Sequence, residues 1–514
     1  MSEPWVRFED EHLVAVAKPA GVNTHRADTH AQDGMYEWVQ RQRPADTLSV
    51  LHRLDKGTSG LLLFGKSRVA NQSLTAQFTD RTVAKRYELL VGREDGRPRA
   101  ITSRRPVDDA PAETDFTHEA TGVSLERWSA HPHTGRTHQV RVHATEAGMP
   151  ILGDVDHHGQ AAARLFLHAA SIGARHPVDG QLDLVAERPG SFDYALAGTH
   201  DDTHLAALVA HEARALLFDD DTDAYLWVDR HHDGFPTTRV ERLGDVALVL
   251  RYGNEAIPTA WLDAWNDTVP LRAIYEQPKP RGGGAAPAHL VSGTATDRFE
   301  VRELGARYLI DLTASATSSG LFLDQREARR ELLGMDLTGQ TVLNTFAHTG
   351  SLSVASALAG AEVLTLDLSK RYLDWAADNL RANGIDPADH DSIYGDVSEW
   401  LDRFAKKKRS FDLVLVDPPS SSTPRKKGGR RWVADRDLHT LVTQAARVTA
   451  RQGTVYVSTN LQRMTWPMFL DQLEAGVAEA GRIGSISTRT LPLDHRSGAG
   501  DPPYLKAAWI RLDR

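Results

Sequence analysis

The stretch QTVLNTFAHTGSLSVASALAGAEVLTLDL, residues 340–368, contains a strand pattern, a turn, a helix pattern and a second strand pattern. QTVLNTF and AEVLTLDL are short apolar runs with β-branched residues, and the segment between them is rich in Ala, Ser and Leu. Further apolar runs, FDLVLVDPP and GTVYVSTN, follow, and the helical pattern LDWAADNLRANG ends in a glycine suited to a helix C-cap. This alternation, from about Leu323 onward, predicts a parallel, doubly wound, Rossmann-like α/β domain.

The chain before this region has a different pattern. From Trp5 to about Ala197, short strand-like runs such as HLVAVAKP and KRYELLVG are separated by Gly, Pro and Asn, which predicts a mainly antiparallel, β-rich α+β domain. A helical spacing in AGTHDDTHLAALVAHEARALLF and short strands in AYLWVDRHHDGFPTTRVERLGDVALVLRYG predict a small central α/β module. The Pro- and Gly-rich stretch QPKPRGGGAAPAH, residues 277–289, is expected to be a mobile loop. We therefore predict three domains, at residues 1–198, 199–310 and 311–514.

Length and composition fit this division. A chain of 514 residues exceeds the roughly 100–200 residues typical of one domain. Apolar residues make up 41% and charged residues 25%, as in soluble globular proteins. No apolar run of about 18 residues and no secretory leader is visible, so we expect a cytoplasmic protein that does not enter a membrane. A net charge of −9 argues against a uniformly basic nucleic-acid binder, although local basic clusters remain compatible with an enzyme that acts on RNA.

A second informative stretch is HRLDKGTSG, His52 to Gly60, which places a carboxylate among turn-forming residues before the apolar run LLLF. An isolated Asp in such a turn is usually solvated. Three further segments occur with it in order, namely AKRYELLVG, HPHTGRTHQVRVHATEAGMPILGD and LFLHAASIGARHP. Together they resemble the RluA-type RNA pseudouridine synthases over roughly the first 190 residues.

The resemblance implies a role for each of four side chains. Asp55 would be the carboxylate that initiates cleavage of the uridine C1′–C5 bond, either by attacking C1′ or by removing a sugar proton. Arg141 would keep Asp55 ionised, Tyr87 would pack on the base and take part in proton transfer, and Arg53 would hold the uridine out of the RNA stack. Arg136 and His138 are expected to shape the pocket or to bind phosphate. Ile151 and Leu152 are expected to pack beneath the base.

The C-terminal strand pattern also suggests a ligand site. The turn after QTVLNTF lacks the G-x-G-x-x-G fingerprint of dinucleotide-binding dehydrogenases, so we consider a dehydrogenase the least favoured alternative. Asp367 ends the next strand, where it can bind the ribose hydroxyls of an adenosyl ligand. Asp396 in GDVSEW would reach the adenine, and Asp417 in DPP ends a further strand at the ligand crevice. An isolated strand-end Asp could instead cap a turn.

These residues resemble those of class I S-adenosylmethionine methyltransferases. SGLFLDQREAR, the LNTFAHTG region and LVDPPS narrow the resemblance to the RlmI/RlmK-type large-subunit rRNA methyltransferases, over roughly residues 205–514. S-adenosylmethionine is the cofactor that this implies, and RNA, most plausibly rRNA, is the partner. We expect the donor to be bound by Phe322, Asp324, Asn344, Phe346, Thr349, Gly350, Asp367, Leu368, Asp396 and Asp417, with Asp417 also counted as catalytic; His348 is assigned no chemistry.

The absence of cysteine narrows the methylation chemistry. Methylation at C5 of a pyrimidine normally uses a Cys thiolate that adds at C6, and the chain has no cysteine. The segment VSTNLQ, Val457 to Gln462, resembles the branch that methylates guanine N7, whose own lone pair attacks the methyl carbon. Methylation of an exocyclic amine stays open, although Ser420 replaces the aromatic residue that usually follows the DPP-type motif.

Basic clusters and histidine pairs complete the sequence-based picture. AKKKRS (405–410) and PRKKGGRR (424–431) are expected to lie around the methyltransferase crevice and to contact RNA phosphates. The pairs at 157–158 and 231–232 lack a matching acid or His at helical spacing, so no metal site is predicted.

The preferred hypothesis is a bifunctional RNA-modifying enzyme. The alternatives are a methyltransferase whose first domain is a non-catalytic RNA clamp, and a non-enzymatic ribosome-assembly factor.

Overall fold

The structure is a computed structural model that describes residues 3–198, 201–279, 286–296, 298–313, 318–420, 432–496 and 503–513. The chain divides into two compact units, each described by itself below. The first comprises Met1–Ala27, Asp33–Asp220 and Tyr225–Gly283, and the second comprises Asp28–Gln32, Asp221–Ala224 and Gly284–Arg514. The division into three domains at residues 198 and 310 stays a prediction. The centre of the predicted mobile loop, residues 280–285, lies outside the described residues.

The elements up to residue 279 follow in chain order. The strands are β1 (Val6–Glu9), β2 (Leu13–Lys18), β3 (Ser49–Val50), β4 (Ser59–Gly65), β5 (Ala84–Gly92), β6 (Ala100–Ser103), β7 (Thr114–Thr121), β8 (Leu125–Pro132), β9 (Leu167–Arg175), β10 (Gln181–Val185), β11 (Ala224–Asp229), β12 (Thr238–Leu243), β13 (Val246–Arg251) and β14 (Ala273–Pro278). The helices are α1 (Met35–Gln42), α2 (Arg68–Thr79), α3 (Gln139–Glu146), α4 (Gly190–Ala197), α5 (Asp202–Ala215) and α6 (Thr259–Thr268), with 3-10 turns at Val155–His157 and Arg230–Asp233.

The first unit is built on a ten-stranded sheet in the order β1-β2-β4-β9-β5-β8-β7-β6, to which β3 and β10 add at β4 and β9. All of its strand pairs are antiparallel except β4 with β9, which confirms the predicted mainly antiparallel fold. β4 is buried along its whole length because both of its faces are covered. The stretch His52–Thr58 therefore runs directly into a buried central strand.

A second sheet in this unit contains β11, β12, β13 and β14 in that order. β12 and β13 form an antiparallel hairpin whose turn contains Gly244 at φ +66°, a left-handed conformation that glycine adopts without strain. β13 and β14 pair in parallel, and Trp227 and Trp265 fill the core beneath the sheet.

The elements from residue 286 onward begin with three consecutive strands, and strands and helices then alternate, as predicted for the chain from about Leu323 onward. The strands are β15 (His289–Gly293), β16 (Arg298–Glu303), β17 (Ala306–Asp311), β18 (Thr341–Thr345), β19 (Glu362–Asp367), β20 (Asp391–Tyr394), β21 (Phe411–Val416), β22 (Thr449–Thr459), β23 (Gly484–Arg489) and β24 (Lys506–Leu512). The helices are α7 (Arg326–Leu333), α8 (Ser351–Leu358), α9 (Lys370–Ala382), α10 (Val397–Lys406), α11 (Ala434–Val448) and α12 (Trp466–Glu479), with 3-10 turns at Leu323–Gln325 and Pro387–Asp389.

The second unit is built on a seven-stranded sheet in the order β20-β19-β18-β21-β22-β24-β23. β18 to β22 pair in parallel, and β24 is antiparallel to both of its neighbours. Adjacent residues of β18 pack on opposite faces: Leu343 contacts the core that includes α11 and α12, and Val342 contacts the core that includes α7 and α8. Because both faces are covered, the parallel strands are apolar along their length, as the sequence predicted.

Candidate active sites

The first site is a cavity of about 1080 Å³ in the first unit. Asp55, Arg53, Tyr87 and Arg141 all line it, so four residues from three distant segments of the chain share one cavity. Asp55 comes from the loop before β4, Tyr87 from β5 and Arg141 from α3. The volume is sufficient for a nucleotide that has been turned out of an RNA strand.

Two buried side chains hold the loop that carries Asp55. The ammonium group of Lys18 is completely buried and donates to the carbonyl oxygens of Val22 at 2.7 Å, Pro19 at 3.2 Å and Lys56 at 3.3 Å. The hydroxyl of Thr24 donates to the Leu54 carbonyl at 2.9 Å and accepts from the Leu54 N–H at 3.0 Å. The backbone on both sides of Asp55 is therefore fixed, while its carboxylate remains about 29% exposed to the cavity.

Arg141 is shared between two carboxylates. Its guanidinium lies 3.5 Å from Asp55 and forms a two-pronged contact with Asp154, through Nε at 2.8 Å and Nη2 at 2.6 Å. The Asp154 side chain is fully buried, whereas Asp156, also in contact with Arg141, is largely exposed. Burial is the largest single effect and by itself would lower the pKa of Arg141, but the hydrogen bonds and charge of Asp154, the charge of Asp55 and the hydrogen bond to Asp156 together raise it. Asp154 thus orients a permanent cation toward Asp55.

Tyr87 keeps its proton in this environment. Burial, followed by the charge of Asp55, raises the pKa of the Tyr87 phenol to about 12. Tyr87 sits in β5 between β8 and β9, paired with Ala130 and Ala169. A phenol held on a central strand beside a carboxylate can contact a base and donate a hydrogen bond, but it does not ionise near neutral pH.

The remaining sequence-predicted residues of this site differ in their placement. Arg53 is exposed, and no hydrogen bond or ion pair holds its side chain among the described residues. The His138 ring lies 3.9 Å from Asp55, and its backbone has φ +55° at the start of α3. Arg136 also lines the cavity. Ile151 and Leu152, expected beneath the base, are buried and do not line it; Leu165 and Leu167 supply apolar lining instead.

The sequence reasoning did not identify Asp154, Lys18 or Thr24 as part of the site. Asp154 lies in the motif PILGD, and opposite charge is the signal in the sequence that could pair its carboxylate with Arg141. Lys18 and Thr24 lie in a stretch that resembles an ordinary strand and turn. Their function depends on contacts with residues far away in the chain. Thr24, for example, forms a hydrogen bond with Leu54, which is 30 positions away.

The second site lies at the carboxyl ends of β18, β19 and β21, where the turn Asn344–Gly350 leads into α8. Phe346, His348 and Gly350 have φ of +54°, +51° and +76°, so this turn is tightly wound. A side chain on Gly350 would also collide with Ala376, at 2.5 Å, which adds a packing reason for glycine there. Thr349 donates to the Gly320 carbonyl at 2.5 Å and links the turn to the segment before α7.

Asp367 closes the same turn from β19. Its carboxylate accepts hydrogen bonds from the N–H groups of His348 at 2.9 Å and Ser369 at 2.8 Å. Burial nevertheless outweighs these hydrogen bonds and raises the pKa of Asp367. Each carboxylate oxygen can accept more than one hydrogen bond, so both bonds leave capacity for ribose hydroxyls.

Asp417 ends a directed chain of hydrogen bonds. The Tyr456 hydroxyl donates to Gln325 at 2.7 Å, Gln325 donates to the Ser458 hydroxyl at 3.1 Å, and Ser458 donates to Asp417 at 2.5 Å. Burial raises the pKa of Asp417 to about 6, with the charge of Asp324 contributing. The carboxylate is therefore close to its titration range at neutral pH, which suits a group that binds a cation or accepts a proton.

Aromatic side chains and unpartnered polar atoms surround these acids. The rings of Phe322 and Tyr372 lie 4.9 Å and 4.3 Å from the ring of His348. Burial lowers the pKa of His348 to about 4, so the ring is neutral. Its Nε2 and the Oδ1 of Asn344 are buried without a hydrogen-bond partner in the described part of the chain. Unpartnered polar atoms, an aromatic wall and two acids fit an adenosyl ligand with an amino-acid tail.

Asp396, Leu368 and Asp324 are three further residues that the sequence predicts to bind the donor. Asp396 is the N-cap of α10 and accepts from the Glu399 N–H at 3.2 Å. Leu368 is exposed, and Asp324 accepts from the Tyr504 hydroxyl at 3.2 Å. At the neighbouring strand end, the Ser420 hydroxyl donates to the side-chain carbonyl of Asn460 at 2.5 Å, so the motif VSTN meets DPPS directly.

The prediction that the basic segment 405–410 lies around the crevice is wrong. These residues end α10 and immediately precede β21, at the amino end of the parallel sheet, whereas the crevice lies at the carboxyl end. Arg409 there contacts Asp391 and packs over Phe404 and Phe411. The segment 424–431 lies outside the described residues. Among described residues there is no cluster of metal-binding side chains and no helix long and apolar enough to cross a membrane.

Comparison with known proteins gives two family matches. Residues 12–146 match the RNA pseudouridylate synthase family, and residues 248–483 match the S-adenosylmethionine-dependent methyltransferase family. The cofactor predicted from the sequence, S-adenosylmethionine, is thereby confirmed.

Individual relatives agree with the second match. A putative ribosomal RNA large subunit methyltransferase from Bacillus subtilis is 31% identical over 313 residues, which covers 59% of this chain and 78% of that protein. The large subunit methyltransferase K of Neisseria meningitidis is 36% identical over 40% of this chain and 56% of its own length. The corresponding K/L protein of Allochromatium vinosum is 39% identical over 42% of this chain and 28% of its own length.

A solved structure shares the fold of the methyltransferase part. SMU.776, a putative methyltransferase complexed with SAH, superposes with a TM-score of 0.55 at 24% identity, covering 67% of this chain and 88% of that one. The chain therefore spans most of the length of two of these proteins and about half or less of the two others.

Proposed function

Because the chain belongs to the family of large-subunit ribosomal RNA methyltransferases and also carries an RNA pseudouridylate synthase domain, we propose that it is a bifunctional enzyme modifying ribosomal RNA in the cytoplasm. The N-terminal site converts uridine to pseudouridine, and the C-terminal site transfers a methyl group to a base, most favourably guanine N7. In this enzyme residues 1–198 carry the first activity, residues 199–310 bind RNA and residues 311–514 carry methyl transfer.

One observation carries the first activity. Asp55 faces a nucleotide-sized cavity, 3.5 Å from a guanidinium that Asp154 orients and beside a protonated tyrosine. A carboxylate that must act on a sugar needs to stay ionised after the base displaces water from the cavity, and a fixed cation meets that requirement. Arg53 is free to enter the RNA stack at the place of the flipped uridine.

In the second site, S-adenosylmethionine supplies an electrophilic methyl carbon, and the residues of the chain bind and orient it. Asp367 binds the ribose, Asn344, His348 and Phe322 line the donor, and Asp417 faces the reacting groups. The Ser420 hydroxyl donates to the side-chain carbonyl of Asn460. The amide NH₂ of Asn460 therefore remains available to donate to an acceptor atom such as guanine O6. N7 carries a lone pair, so no proton has to be removed before methyl transfer.

A second candidate product has support from Asp417. Methylation of an exocyclic amine requires loss of a proton, and a carboxylate whose pKa is about 6 can accept it. The absence of cysteine disfavours 5-methylcytosine in either case.

The product decides between these possibilities. Full-length protein is incubated with methyl-labelled S-adenosylmethionine and deproteinised rRNA, the RNA is digested to nucleosides, and the labelled nucleoside is identified by mass spectrometry. We expect label in 7-methylguanosine. Label in a purine methylated on an exocyclic amine would change the methylated atom that we assign, but the inference from the absence of cysteine would stand. Label in 5-methylcytidine would contradict both the assigned atom and that inference.

A further inference from the structure

The first unit contains a second cavity, of about 650 Å³, that shares no lining residue with the uridine cavity. It lies against the start of β4, the start of β9 and the C-terminal half of α5. Its volume is within the range of about 300–1,000 Å³ found for small-molecule sites. The proposed function makes no use of it.

Arg164 supplies unused hydrogen-bond donors to this cavity. A guanidinium has five N–H groups. In Arg164, Nε donates to the Leu165 carbonyl at 3.0 Å and Nη2 donates to the Ser59 hydroxyl at 2.6 Å, which leaves three N–H groups. Arg164 forms no ion pair with a carboxylate among the described residues, and burial lowers its pKa to about 10. It is therefore a cation at neutral pH, and its opposite charge is Glu212, whose attraction counteracts part of the effect of burial although no hydrogen bond joins the two side chains among the described residues.

The side chains beside Arg164 do not accept hydrogen bonds from its three remaining N–H groups. The Ser59 hydroxyl already accepts from Arg164, so its own proton goes to Nδ1 of His168 at 2.8 Å. The other ring nitrogen of His168 contacts the Ala186 carbonyl at 3.1 Å, and burial lowers the His168 pKa to about 4. The neutral ring accepts at Nδ1 and donates at Nε2, so Ser59 and His168 are both satisfied and the free N–H groups of Arg164 remain.

Glu212, on α5, presents the opposite chemistry. Its Oε1 accepts from the Ser191 N–H at 2.8 Å, while Oε2 is buried without a partner in the described part of the chain. Burial raises the pKa of Glu212. A buried carboxylate oxygen without a donor costs free energy, so a ligand that donates a hydrogen bond here would be bound favourably.

The remaining lining distinguishes between ligand classes. Apolar residues, among them Pro19, Val209 and Leu216, form much of the wall and suit the faces of a flat ring. Of the four cations in the lining, Arg188 is paired with Glu88 and Asp193 and Lys18 donates to three backbone carbonyls, so Arg7 and Arg164 are the cations that can face a ligand. A bare anion would be repelled by Glu212, and a bare cation by Arg164. A ring with a donor beside an acceptor, linked to an anionic group, satisfies all of these features.

We propose that this cavity is a nucleotide-binding site, in which the polar edge of a nucleobase accepts from Arg164 and donates to Glu212 and a phosphate lies toward Arg7. Every nucleobase carries a donor beside an acceptor on one edge. The same chemistry is available from a free mononucleotide and from a nucleotide of a bound RNA strand.

Isothermal titration of the full-length protein tests this site directly. The probes are the four 5′-nucleoside monophosphates, inorganic phosphate and an eight-nucleotide single-stranded RNA, each added with saturating S-adenosylhomocysteine to block the donor site. We expect at least one monophosphate to bind at least about tenfold more tightly than inorganic phosphate, because the base adds charged hydrogen bonds. Loss of RNA affinity in a variant that fills this cavity identifies RNA as the source, and a loss confined to the monophosphates identifies a free nucleotide.

Variants assign the binding to this cavity. Glu212→Gln should weaken it by about tenfold or more, and Ala215→Trp, which fills the cavity from α5 without altering Arg164 or Glu212, should abolish it. Arg93→Met, which removes a surface ion pair with Asp95, is the control and should leave binding unchanged. No binding of any monophosphate, equal binding of inorganic phosphate, or binding insensitive to Ala215→Trp would overturn the proposal. Since the readout is binding and not pseudouridine formation, either result leaves the proposed catalytic function untouched.

Discussion

At the scale of single residues, the chemistry of the first site rests on how Arg141 divides its five N–H donors. Two go to Asp154, which is fully buried, and the guanidinium still lies 3.5 Å from Asp55. Asp154 therefore positions Arg141 and keeps its guanidinium at this distance from the Asp55 carboxylate. A charge held at this distance stabilises the ionised Asp55 without blocking its oxygens.

Replacing Arg141 should damage both stability and activity. Arg141→Met leaves Asp154 buried and unpaired, which we expect to cost about 3–5 kcal/mol of unfolding free energy in the first unit. Adding Asp154→Asn removes that charge and should restore most of the stability, but not pseudouridine formation. Chemical denaturation and pseudouridine assays on both variants measure this. Recovery of activity in the double variant would remove Arg141 from the catalytic site.

At the scale of elements, the second site depends on the direction of the parallel strands. β18, β19 and β21 run the same way, so the residues that end them, including Asp367 and Asp417, meet at one edge of the sheet. The same rule sends residues 405–410, which precede β21, to the opposite edge. A motif's place relative to the strand end therefore decides whether it can contact the cofactor.

The strand-end position of Asp367 predicts a specific loss of cofactor affinity. Asp367→Ala should weaken binding of S-adenosylhomocysteine by about tenfold or more, because it removes a charged acceptor for ribose. Asp412→Asn is the matched control, since Asp412 accepts from Thr341 at the amino end of the sheet, at 2.9 Å, and should leave the affinity unchanged. Equal effects of the two substitutions in a titration would contradict the assignment.

Asp417 predicts how methyl transfer depends on pH. Its folded pKa of about 6 lies above the ordinary Asp value of 3.8, so the folded protein holds this proton more tightly than the unfolded chain. Protonated Asp417 therefore contributes stability at low pH, and that contribution is lost as the pH rises through about 6. In the proposed function the ionised carboxylate is the form that acts, so methylation should fall as the pH drops below about 6.

Single-turnover methylation rates between pH 5 and 8 measure this dependence. Binding of S-adenosylhomocysteine over the same range controls for unfolding of the second unit. A methylation rate that stays constant through pH 6 would show that Asp417 is not required in its ionised form.

At the scale of the whole molecule, the chain contains two chemically independent sites, each built entirely within one compact unit. Asp55 and Arg141 belong to the first unit, and Asp367 and Asp417 belong to the second. No residue of either site is shared. The two activities should therefore be separable by substitution.

Asp55→Asn is the direct test of that separation. The substitution is nearly isosteric and should abolish pseudouridine formation, because an amide can neither attack C1′ nor remove a proton at useful rates. Methylation of the same RNA should continue at the rate of the unaltered protein. Persistent pseudouridine would support the alternative in which the first domain is an RNA clamp, and loss of both products in a folded variant would contradict independent sites.

Much of the molecule could be predicted from local sequence pattern. Strand and helix periodicity identified the doubly wound sheet, and the ordered motifs identified both families, because these features depend on residues close together in the chain. The placement of residues 405–410 could not be read in this way, since a charge run has no periodicity that reports which end of a sheet it occupies.

The sequence by itself determined which chemical groups the protein possesses: a carboxylate in HRLDKG, strand-end acids at 367 and 417, and no thiolate. Only the tertiary structure decided how they are connected. Asp154 orients Arg141, Lys18 and Thr24 hold the Asp55 loop, and Tyr456 is linked to Asp417 through Gln325 and Ser458. The physical reason is that hydrogen-bond geometry and desolvation depend on distances between residues far apart in the chain, which packing of the complete core fixes.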